Sequence, residues 1–224
     1  MTELHLGDCL EILPTLATNS VDLVVVDPPY LVNVNSSING KSNPWADMMN
    51  ATYWFKEWME HCKRILKPSG AMWSFLNWKS ITIFQKSALD IGWKIESMLV
   101  WDKEWIGPGG QVGLRPSYEM VALFPKPKFA IPDRSLPDIQ RFKWSSHKPN
   151  GHSSEKPLSL VRWLIEISGN KGDCVMDCFM GSGTTGDACI KSERNFIGIE
   201  IDEVWHDYSQ KRIAEAQLQM RMPI

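Results

Sequence analysis

The stretch of sequence that decides the fold is Val21-Asp22-Leu23-Val24-Val25-Val26-Asp27-Pro28-Pro29-Tyr30. Residues 23–26 form an unbroken apolar run rich in valine, which predicts a buried strand of a parallel sheet. Pro28 and Pro29 have no amide hydrogen to donate, so the strand cannot continue through them. The sequence therefore places Asp27 and Tyr30 just beyond the carboxyl end of a strand, where open α/β sheets bind their ligands.

These groups suit one kind of chemistry. The Asp27 carboxylate and the Pro28 carbonyl are hydrogen-bond acceptors, and the Tyr30 ring offers a flat face for stacking. An amino group on a planar heterocycle is a poor nucleophile, because its lone pair is delocalised into the ring. Two acceptors that hold its hydrogens favour the pyramidal nitrogen of a transition state. The alternative is an Asp-Pro turn that only ends the strand.

A second motif lies near the other end of the sequence: Asp177-Cys178-Phe179-Met180-Gly181-Ser182-Gly183-Thr184-Thr185. Asp27-Pro28-Pro29-Tyr30 resembles the catalytic motif of methyltransferases that act on amino groups of nucleic acid bases, and the second motif resembles their S-adenosylmethionine loop. Their order, with the catalytic motif first, resembles the permuted beta group of DNA amino-methyltransferases. The resemblance extends from about Leu6 to Tyr208 and covers most of the chain.

The resemblance implies a set of site residues. It assigns catalysis to Asp27, Pro28, Pro29 and Tyr30. It assigns binding of S-adenosylmethionine to Asp8, Cys9, Asp27, Lys156, Asp177, Phe179, Gly181, Ser182, Gly183, Thr184, Thr185 and Glu200. For Asp8 a helix N-cap is the structural alternative, and both roles are compatible. In the family, the region of Arg115 and Glu119 approaches the target base.

The glycine-rich loop also fits a different cofactor. Gly181, Gly183 and Gly186 match the dinucleotide pattern Gly-x-Gly-x-x-Gly, and Glu200 ends the next predicted strand. A hydride-transfer enzyme that uses NAD is therefore a competing hypothesis. A dinucleotide half would continue through several more strands, whereas only one strand and one helix are predicted after this loop. The order of elements favours S-adenosylmethionine.

The predicted fold class is α/β, a Rossmann-like methyltransferase fold in circularly permuted order. Helices are expected on both faces of a mostly parallel sheet whose last strand is antiparallel, as the resemblance implies. Seven strands are predicted near residues 3–6, 22–26, 71–76, 95–101, 118–124, 174–178 and 195–200. Helices are predicted at 9–16, 52–66, 79–89, 155–168 and 202–219, with a further helix that follows the glycine-rich loop and ends at about 191. A chain of 224 residues is expected to form a single domain over 1–224.

Composition excludes several classes of protein. The net charge is −2, and neither a leader peptide nor an apolar run of about 20 residues is present, so no membrane association is expected. The odd count of five cysteines predicts reduced thiols in a cytosolic protein. A bacterial or phage-infected cell is the setting that the resemblance implies. The five histidines do not cluster and no cysteines have zinc spacing, so no metal site is predicted.

One segment is basic in an otherwise acidic chain. Residues 125–156 hold seven Lys or Arg and three acids, a net charge of +4 that leaves −6 for the rest. This balance, with interleaved aromatic residues, predicts a phosphate-contacting surface. A solvated, proline-rich linker is the alternative. The resemblance implies that a short target-recognition segment lies here, at about 125–153, and its small size predicts a short or loosely defined recognition sequence. The predicted DNA contacts are Arg115, Lys126, Lys128, Arg134, Arg141, Lys143 and Lys148.

The predicted function is transfer of methyl from S-adenosylmethionine to the exocyclic N6 amine of adenine in DNA, on a base flipped out of the duplex. Methylation of cytosine N4 is an alternative with the same geometry, although the family's cytosine members more often have serine in place of Asp27. An RNA base or a protein amide is a second alternative. A DNA-binding module without activity is a third. A monomer or a homodimer is expected.

Overall fold

The computed structural model describes residues 1–29, 48–107, 112–144 and 155–221. Residues 48–50 and residue 221 are described by their backbone alone. Two predicted site residues, Tyr30 and Lys148, lie outside these ranges.

The described strands are β1 Thr2–Leu6, β2 Val21–Val26, β3 Leu66–Leu76, β4 Ser97–Asp102, β5 Tyr118–Pro125, β6 Ile139–Arg141, β7 Cys174–Asp177 and β8 Asn195–Glu200. They join one sheet in the order β1-β8-β7-β2-β3-β5-β4-β6. Seven of these described strands run parallel to one another, and β5 runs in the opposite direction.

Helices cover both faces of this sheet. They are α1 Cys9–Ile12 with a 3₁₀ turn at Leu13–Thr15, α2 Met48–Ile65, α3 Ile81–Asp90, α4 Leu158–Ser168, α5 Thr184–Lys191 and α6 Glu203–Arg221. Strand β2 contributes Val24 and Val26 to the core under α1, α2 and α3. Its alternate residues Leu23 and Val25 belong to the core under α4, α5 and α6. A strand buried on both faces explains why the run at residues 23–26 is continuously apolar.

All seven predicted strands are present, and four details of the prediction are corrected. The sheet has an eighth strand, β6, whose three residues are too few for a periodic pattern. The last strand, β8, is parallel, and the reversed strand is β5. Strand β3 begins at Leu66, directly after α2, and includes the predicted break at 67–70, where pairing with β2 is irregular. Helix α4 begins three residues later than predicted, with Pro157 as its N-cap.

Strand order brings the two distant motifs together. β2 pairs with β7, with Leu23 opposite Val175 and Val24 opposite Met176. Because the two strands are parallel, the residues that follow them emerge side by side at the carboxyl edge of the sheet. Asp27 and the glycine-rich loop are thus neighbours although about 150 residues separate them in the sequence. In the described part of the chain, no helix is both long and apolar enough to cross a membrane.

Candidate active site

The Asp27 carboxylate is held by a buried lysine. Lys156 Nζ donates a hydrogen bond of 2.6 Å to Asp27 Oδ2, and the Lys156 residue is only 8% exposed. Lys156 lies just before α4, and Asp27 directly follows β2, so two separate parts of the fold fix the pair. Pro28 is buried behind Asp27, whereas Pro29 is exposed. An ammonium group at this distance favours the ionised carboxylate, which is the form that accepts hydrogen bonds at both oxygens.

Two further charges extend this pair into an ion-pair network of Asp27, Lys156, Glu119 and Lys103. Lys156 Nζ lies 3.3 Å from Glu119 Oε2, and Lys103 Nζ lies 2.5 Å from Glu119 Oε1. The side chains of Glu119 and Lys103 are 19% and 14% exposed. Burial opposes ionisation of Glu119, but the two lysines outweigh it and hold the pKa of Glu119 below its usual value.

Aromatic rings lie beneath both lysines of this network. Lys156 Nζ is 5.2 Å from the centroid of Phe75, and Lys103 Nζ is 5.2 Å from that of Trp101. The two rings contact each other edge to face, at 6.5 Å. Ammonium groups are attracted to aromatic faces at such distances, so the rings help to seat both cations away from water.

Asp177 organises the glycine-rich loop from below. Its Oδ1 accepts a hydrogen bond of 3.0 Å from the Phe179 amide, and its Oδ2 accepts one of 2.6 Å from the Thr185 hydroxyl. Burial raises the pKa of Asp177 to about 7, against the lowering effect of these bonds, and the nearby charges of Asp27 and Glu200 add to the rise. The three carboxylates therefore lie close enough together to interact.

Gly181 and Glu200 form the side of the loop that faces the end of β8. Gly181 has a φ of 51°, which L-residues with a side chain rarely adopt, and its amide donates to Glu200 Oε2 at 2.7 Å. Glu200 Oε1 accepts from the Asp202 amide at 2.9 Å. Each carboxylate oxygen retains a second lone pair, so Glu200 can also accept hydrogen bonds from ribose hydroxyls.

The other two glycines of the pattern serve packing. A Cβ on Gly183 would lie 2.8 Å from Ser209 Cβ, and one on Gly186 would lie 2.3 Å from Ile213 Cδ1. Both contacts are with α6. Gly183 and Gly186 thus let α6 approach α5 closely.

Arg212 of α6 braces the same loop. Its guanidinium donates to the Ser182 carbonyl at 3.2 Å and to Thr184 Oγ1 at 3.1 Å. It also bonds Asp187 Oδ2 at 3.2 Å and Glu155 Oε1 at 3.0 Å. One side chain therefore joins the predicted cofactor loop to the segment that carries Lys156. Ser182 and Thr184, predicted as cofactor contacts, are buried against this arginine.

The remaining predicted cofactor residues lie on the α1–α3 face of the site. Asp8 is the N-cap of α1 and accepts from the Leu10 amide at 2.9 Å, so its structural role is present. The Gly7 amide bonds the Glu200 carbonyl at 2.8 Å, which places Asp8 beside the end of β8. Cys9 is buried, and burial, together with the Asp8 charge, raises the pKa of its thiol. The Phe179 ring packs on Trp54 and Trp58, at 5.5 and 5.3 Å.

The predicted DNA contacts lie at two opposite ends of the strands of the sheet. The amides of Lys126 and Lys128 bond the carbonyls of Gly70 and Pro68, at the edge opposite Asp27. Lys126 Nζ donates to the Lys63 carbonyl near the end of α2, so it is used within the fold. These two lysines are separated from the site by the length of β5.

Other basic residues lie nearer the site. Arg141 ends β6 at the same level as Asp102, to which it pairs at 3.4 Å, and Lys143 follows it, exposed. The Arg115 guanidinium donates to the Gly107 and Ile106 carbonyls, which braces the connection between β4 and β5. Arg134 is exposed between β5 and β6.

Sequence reasoning missed Lys103 and Arg212, and it placed Glu119 only near the base. A lone lysine after a strand and a lone arginine within a helix carry no motif, so sequence gave no signal for either. In the described part of the chain, no group of three or more His, Cys, Asp or Glu residues could hold a metal ion.

The chain is similar to known DNA methylases. Residues 21–211 match the family model for DNA methylases. The putative methylase YubD of Escherichia coli K12 is 32% identical over 96% of this chain and 91% of that protein. The DNA adenine methyltransferase YhdJ of the same organism is 26% identical over 92% of this chain and 81% of its own length.

A solved structure extends the comparison to the fold. The complex of M1.HpyAVI with S-adenosylmethionine superposes with a TM-score of 0.75 at 24% identity, and covers 95% of this chain and 99% of that one. The α/β methyltransferase fold is therefore confirmed. With a family model matched over most of its length, the chain belongs to the DNA methylase family.

Proposed function

We propose that this protein transfers a methyl group from S-adenosylmethionine to the N6 amine of adenine in DNA. One observation carries the proposal: the Asp27 carboxylate, fixed by Lys156, emerges beside the glycine-rich loop, because β2 and β7 are paired. Acceptors for an amine and a loop for the methyl donor thus share one edge of the sheet.

The residues of the loop fit S-adenosylmethionine. The Glu200 carboxylate, at the end of β8, has lone pairs for the ribose hydroxyls, and the N-terminus of α5 favours the methionine carboxylate. When bound, S-adenosylmethionine supplies an electrophilic methyl carbon on a positively charged sulfur. The acidic surroundings of Asp27, Asp177 and Glu200 suit a positively charged ligand. NAD fits less well, since strands β1 to β6 precede β7 and its loop in the chain, which is the order of the permuted methyltransferases.

Asp27 and Pro28 act on the base. The flipped adenine presents its N6 amine to the Asp27 carboxylate and the Pro28 carbonyl, and Tyr30 stacks on the ring. The two acceptors align the nitrogen lone pair with the methyl carbon, which is where most of the acceleration arises. The new N–C bond forms as the S–C bond breaks, and sulfur keeps the electron pair. The N6 proton leaves afterwards, so Asp27 need not be a strong base.

Adenine is favoured over cytosine by Asp27, where cytosine members of the family more often have serine. YhdJ, similar over most of this chain, is named as an adenine methyltransferase, which supports the same choice. Cytosine N4 methylation remains the second candidate, because its amine would meet the same two acceptors.

The proposal also covers the DNA contacts, the oligomeric state and the location of the protein. The whole chain, 1–224, acts as one catalytic domain, and the basic segment at about 125–153 contacts DNA. Within it, Arg134, Arg141 and Lys143 are the described candidates nearer the site, Lys126 and Lys128 lie at the far end of β5, and Arg115 lies outside the segment. The enzyme works as a monomer or a homodimer in the cytoplasm of a bacterial or phage-infected cell; the bacterial origin of its relatives supports this setting.

One assay tests the proposal. The protein is incubated with methyl-labelled S-adenosylmethionine and duplex DNA, and the DNA is digested to nucleosides. Label in N6-methyl-2′-deoxyadenosine is expected. A matched duplex whose adenines already carry N6-methyl groups should take up no label. Label in N4-methyl-2′-deoxycytidine would replace the proposal by its second candidate, and an unlabelled product from several unrelated duplexes would refute both.

A further inference from the structure

We propose that Trp78 stacks on a DNA base next to the target, on the face that is exposed when the target base leaves the duplex. Lys79, the following residue, contacts a nearby phosphate. The inference rests on the proposed function, because it concerns how the DNA is held while the target base is flipped. Neither residue belongs to the catalytic motif, the glycine-rich loop or the basic segment at 125–156.

Trp78 lies at the same edge of the sheet as Asp27. Strand β3 runs parallel to β2, with Ser74 opposite Val26, so both strands end at the carboxyl edge. Asp27 directly follows β2, and Trp78 follows β3 after one intervening residue. Because Trp78 lies farther past Ser74 than Asp27 lies past Val26, it stands at the mouth of the site. The DNA that remains stacked while one base enters the site has to lie at this mouth.

Trp78 is the most exposed tryptophan in the described part of the chain. It is 63% exposed, against 37% for Trp105, and the other described tryptophans are more buried. A single exposed apolar side chain is common on protein surfaces, so the exposure alone indicates no partner. Its place beside Asp27 and the rigid backbone that presents it are what point to a partner that enters the site.

A tight turn fixes the backbone of Trp78 and Lys79. The Ser80 amide donates to the Asn77 carbonyl at 3.1 Å and to Asn77 Oδ1 at 3.0 Å, and the Ser80 hydroxyl donates to the same carbonyl at 3.0 Å. Ser80 is buried, and its carbonyl accepts from the Phe84 amide at 3.1 Å as α3 begins. The two residues between Asn77 and Ser80 are therefore presented in a preorganised turn, which reduces the entropy lost on binding.

An indole ring beside an ammonium group fits nucleic acid. Lys79 Nζ lies 5.8 Å from the centroid of the Trp78 ring, so ring and charge share one surface. Aromatic side chains stack on unpaired bases of any identity, and lysines neutralise phosphates. Base flipping interrupts the stack at the target position and exposes the faces of the neighbouring bases. Stacking of Trp78 on such a face offsets part of the cost of unstacking.

The test compares an intact duplex with the same duplex carrying one abasic site. The abasic site exposes the adjacent base faces without the cost of flipping. Fluorescence anisotropy, with S-adenosylhomocysteine present, measures both dissociation constants of the full-length protein. The wild type should prefer the abasic duplex, and Trp78→Ala should bind that duplex about tenfold more weakly, with a smaller loss on the intact one. Trp78→Phe, which keeps a flat ring, should retain most of the preference, whereas Trp78→Leu should not.

Two further variants complete the design. Lys79→Ala should lower the slope of log affinity against log salt by about 1 on both duplexes. Leu89→Ala is the control, because Leu89 is 59% exposed near the end of α3, away from the edge that carries Asp27, and its loss should change neither quantity. The melting temperature of Trp78→Ala should match that of the wild type, because the side chain is exposed.

The outcomes separate the inference from the proposed function. A wild type without preference for the abasic duplex, or the same preference in wild type and Trp78→Ala, would overturn the inference even if the protein methylates adenine. An equal loss of preference in Leu89→Ala would overturn it as well. A wild type that methylates no DNA but shows a preference that depends on Trp78 would refute the function and leave the DNA contact supported.

Discussion

Lys156 and Asp27 are 129 positions apart in the sequence, yet Lys156 Nζ donates a hydrogen bond to Asp27 Oδ2 at 2.6 Å. The contact ties the segment before α4 to the strand that carries the proposed catalytic motif. A carboxylate fixed this way is oriented before the substrate arrives, which is the condition under which a hydrogen-bond acceptor contributes most to a reaction.

Asp27→Ala should abolish methyl transfer while cofactor binding largely persists. Removal of one of two acceptors for the amine is expected to lower kcat by about 100-fold or more. The dissociation constant of S-adenosylhomocysteine, measured by calorimetry, should stay within about tenfold, because Gly181 and Glu200 are untouched. Asp27→Asn, which keeps one acceptor oxygen, should retain more activity than Asp27→Ala. Unchanged turnover in Asp27→Ala would remove Asp27 from the mechanism.

Gly183→Ala should destabilise the protein more than Gly172→Ala does. Both glycines have positive φ, 77° and 85°, so alanine carries a similar backbone penalty of about 1–2 kcal/mol at either site. Only at Gly183 would the new methyl group meet α6, 2.8 Å from Ser209 Cβ, whereas nothing lies within 4 Å at Gly172. Urea unfolding should show an additional loss of about 1–3 kcal/mol at Gly183. Equal losses would contradict the packing role.

Because of the buried Asp177 carboxyl, we expect the free energy of unfolding to fall as pH rises. Its folded-state pKa of about 7 lies above the ordinary 3.8, so between these values the folded protein holds a proton that the unfolded chain releases. The contribution is complete below pH 3.8 and is lost by about pH 7. Relative to Asp177→Asn, the wild-type free energy of unfolding should decrease by up to about 2–3 kcal/mol between pH 5 and pH 8.

Chemical denaturation at the two pH values measures this difference. Asp90→Asn, an exposed change in α3, is the control and should not alter the pH dependence of wild-type stability. If wild type and Asp177→Asn kept a constant difference from pH 5 to pH 8, the buried carboxyl would not titrate in this range.

Arg212→Gln should weaken the cofactor loop. The change removes a cation whose side chain is 17% exposed and leaves Glu155 without this partner, whereas Asp187 keeps Lys191 at 2.8 Å. A loss of about 1–3 kcal/mol in stability and a KM for S-adenosylmethionine raised about tenfold are expected. Arg162→Gln removes an arginine from an exposed pair with Glu166 and should do neither. A normal cofactor KM in Arg212→Gln would show that the brace does not shape the loop.

Lys143→Ala and Lys128→Ala should differ in their effect on DNA binding. Lys143 follows β6 at the end of the sheet where Asp27 lies, and Lys128 lies at the opposite end. Both residues are predicted to contact DNA. Loss of one phosphate contact should lower the slope of log affinity against log salt by about 1 in Lys143→Ala. Fluorescence anisotropy over a salt series measures the slope. A larger effect at Lys128 would mean that DNA lies along the other edge.

The sequence predicted the site through local patterns and missed what depends on packing. The valine run with its two prolines fixes β2 and Asp27, because both signals are local. Lys156 was predicted as a cofactor residue on resemblance alone, and its bond to Asp27 followed only from the strand order that joins β2, β7 and α4. Glu119 and Lys103 meet Lys156 because β4 and β5 pair, which no short motif encodes.

The glycines illustrate the same limit. The pattern Gly-x-Gly-x-x-Gly predicted a ligand loop, yet Gly183 and Gly186 face α6, whose residues Ser209 and Ile213 lie more than 20 positions away. A spacing rule cannot distinguish space for a ligand from space for a helix. Likewise, the sequence shows that the segment 125–156 is basic. Its basic side chains nevertheless lie at two opposite ends of the strands, because β5 runs in the reversed direction.

The reversed direction of β5 provides a position at which the protein could be labelled or attached to a support. Since β5 carries the chain to the far end of the sheet, Lys128 is exposed there, with the sheet between it and Asp27. Cys9, Cys62, Cys178 and Cys189 are buried, and burial raises the pKa of the partly buried Cys174 thiol. A thiol introduced by Lys128→Cys would therefore react first with a maleimide dye or resin, which would immobilise the protein with its cleft turned toward the solution.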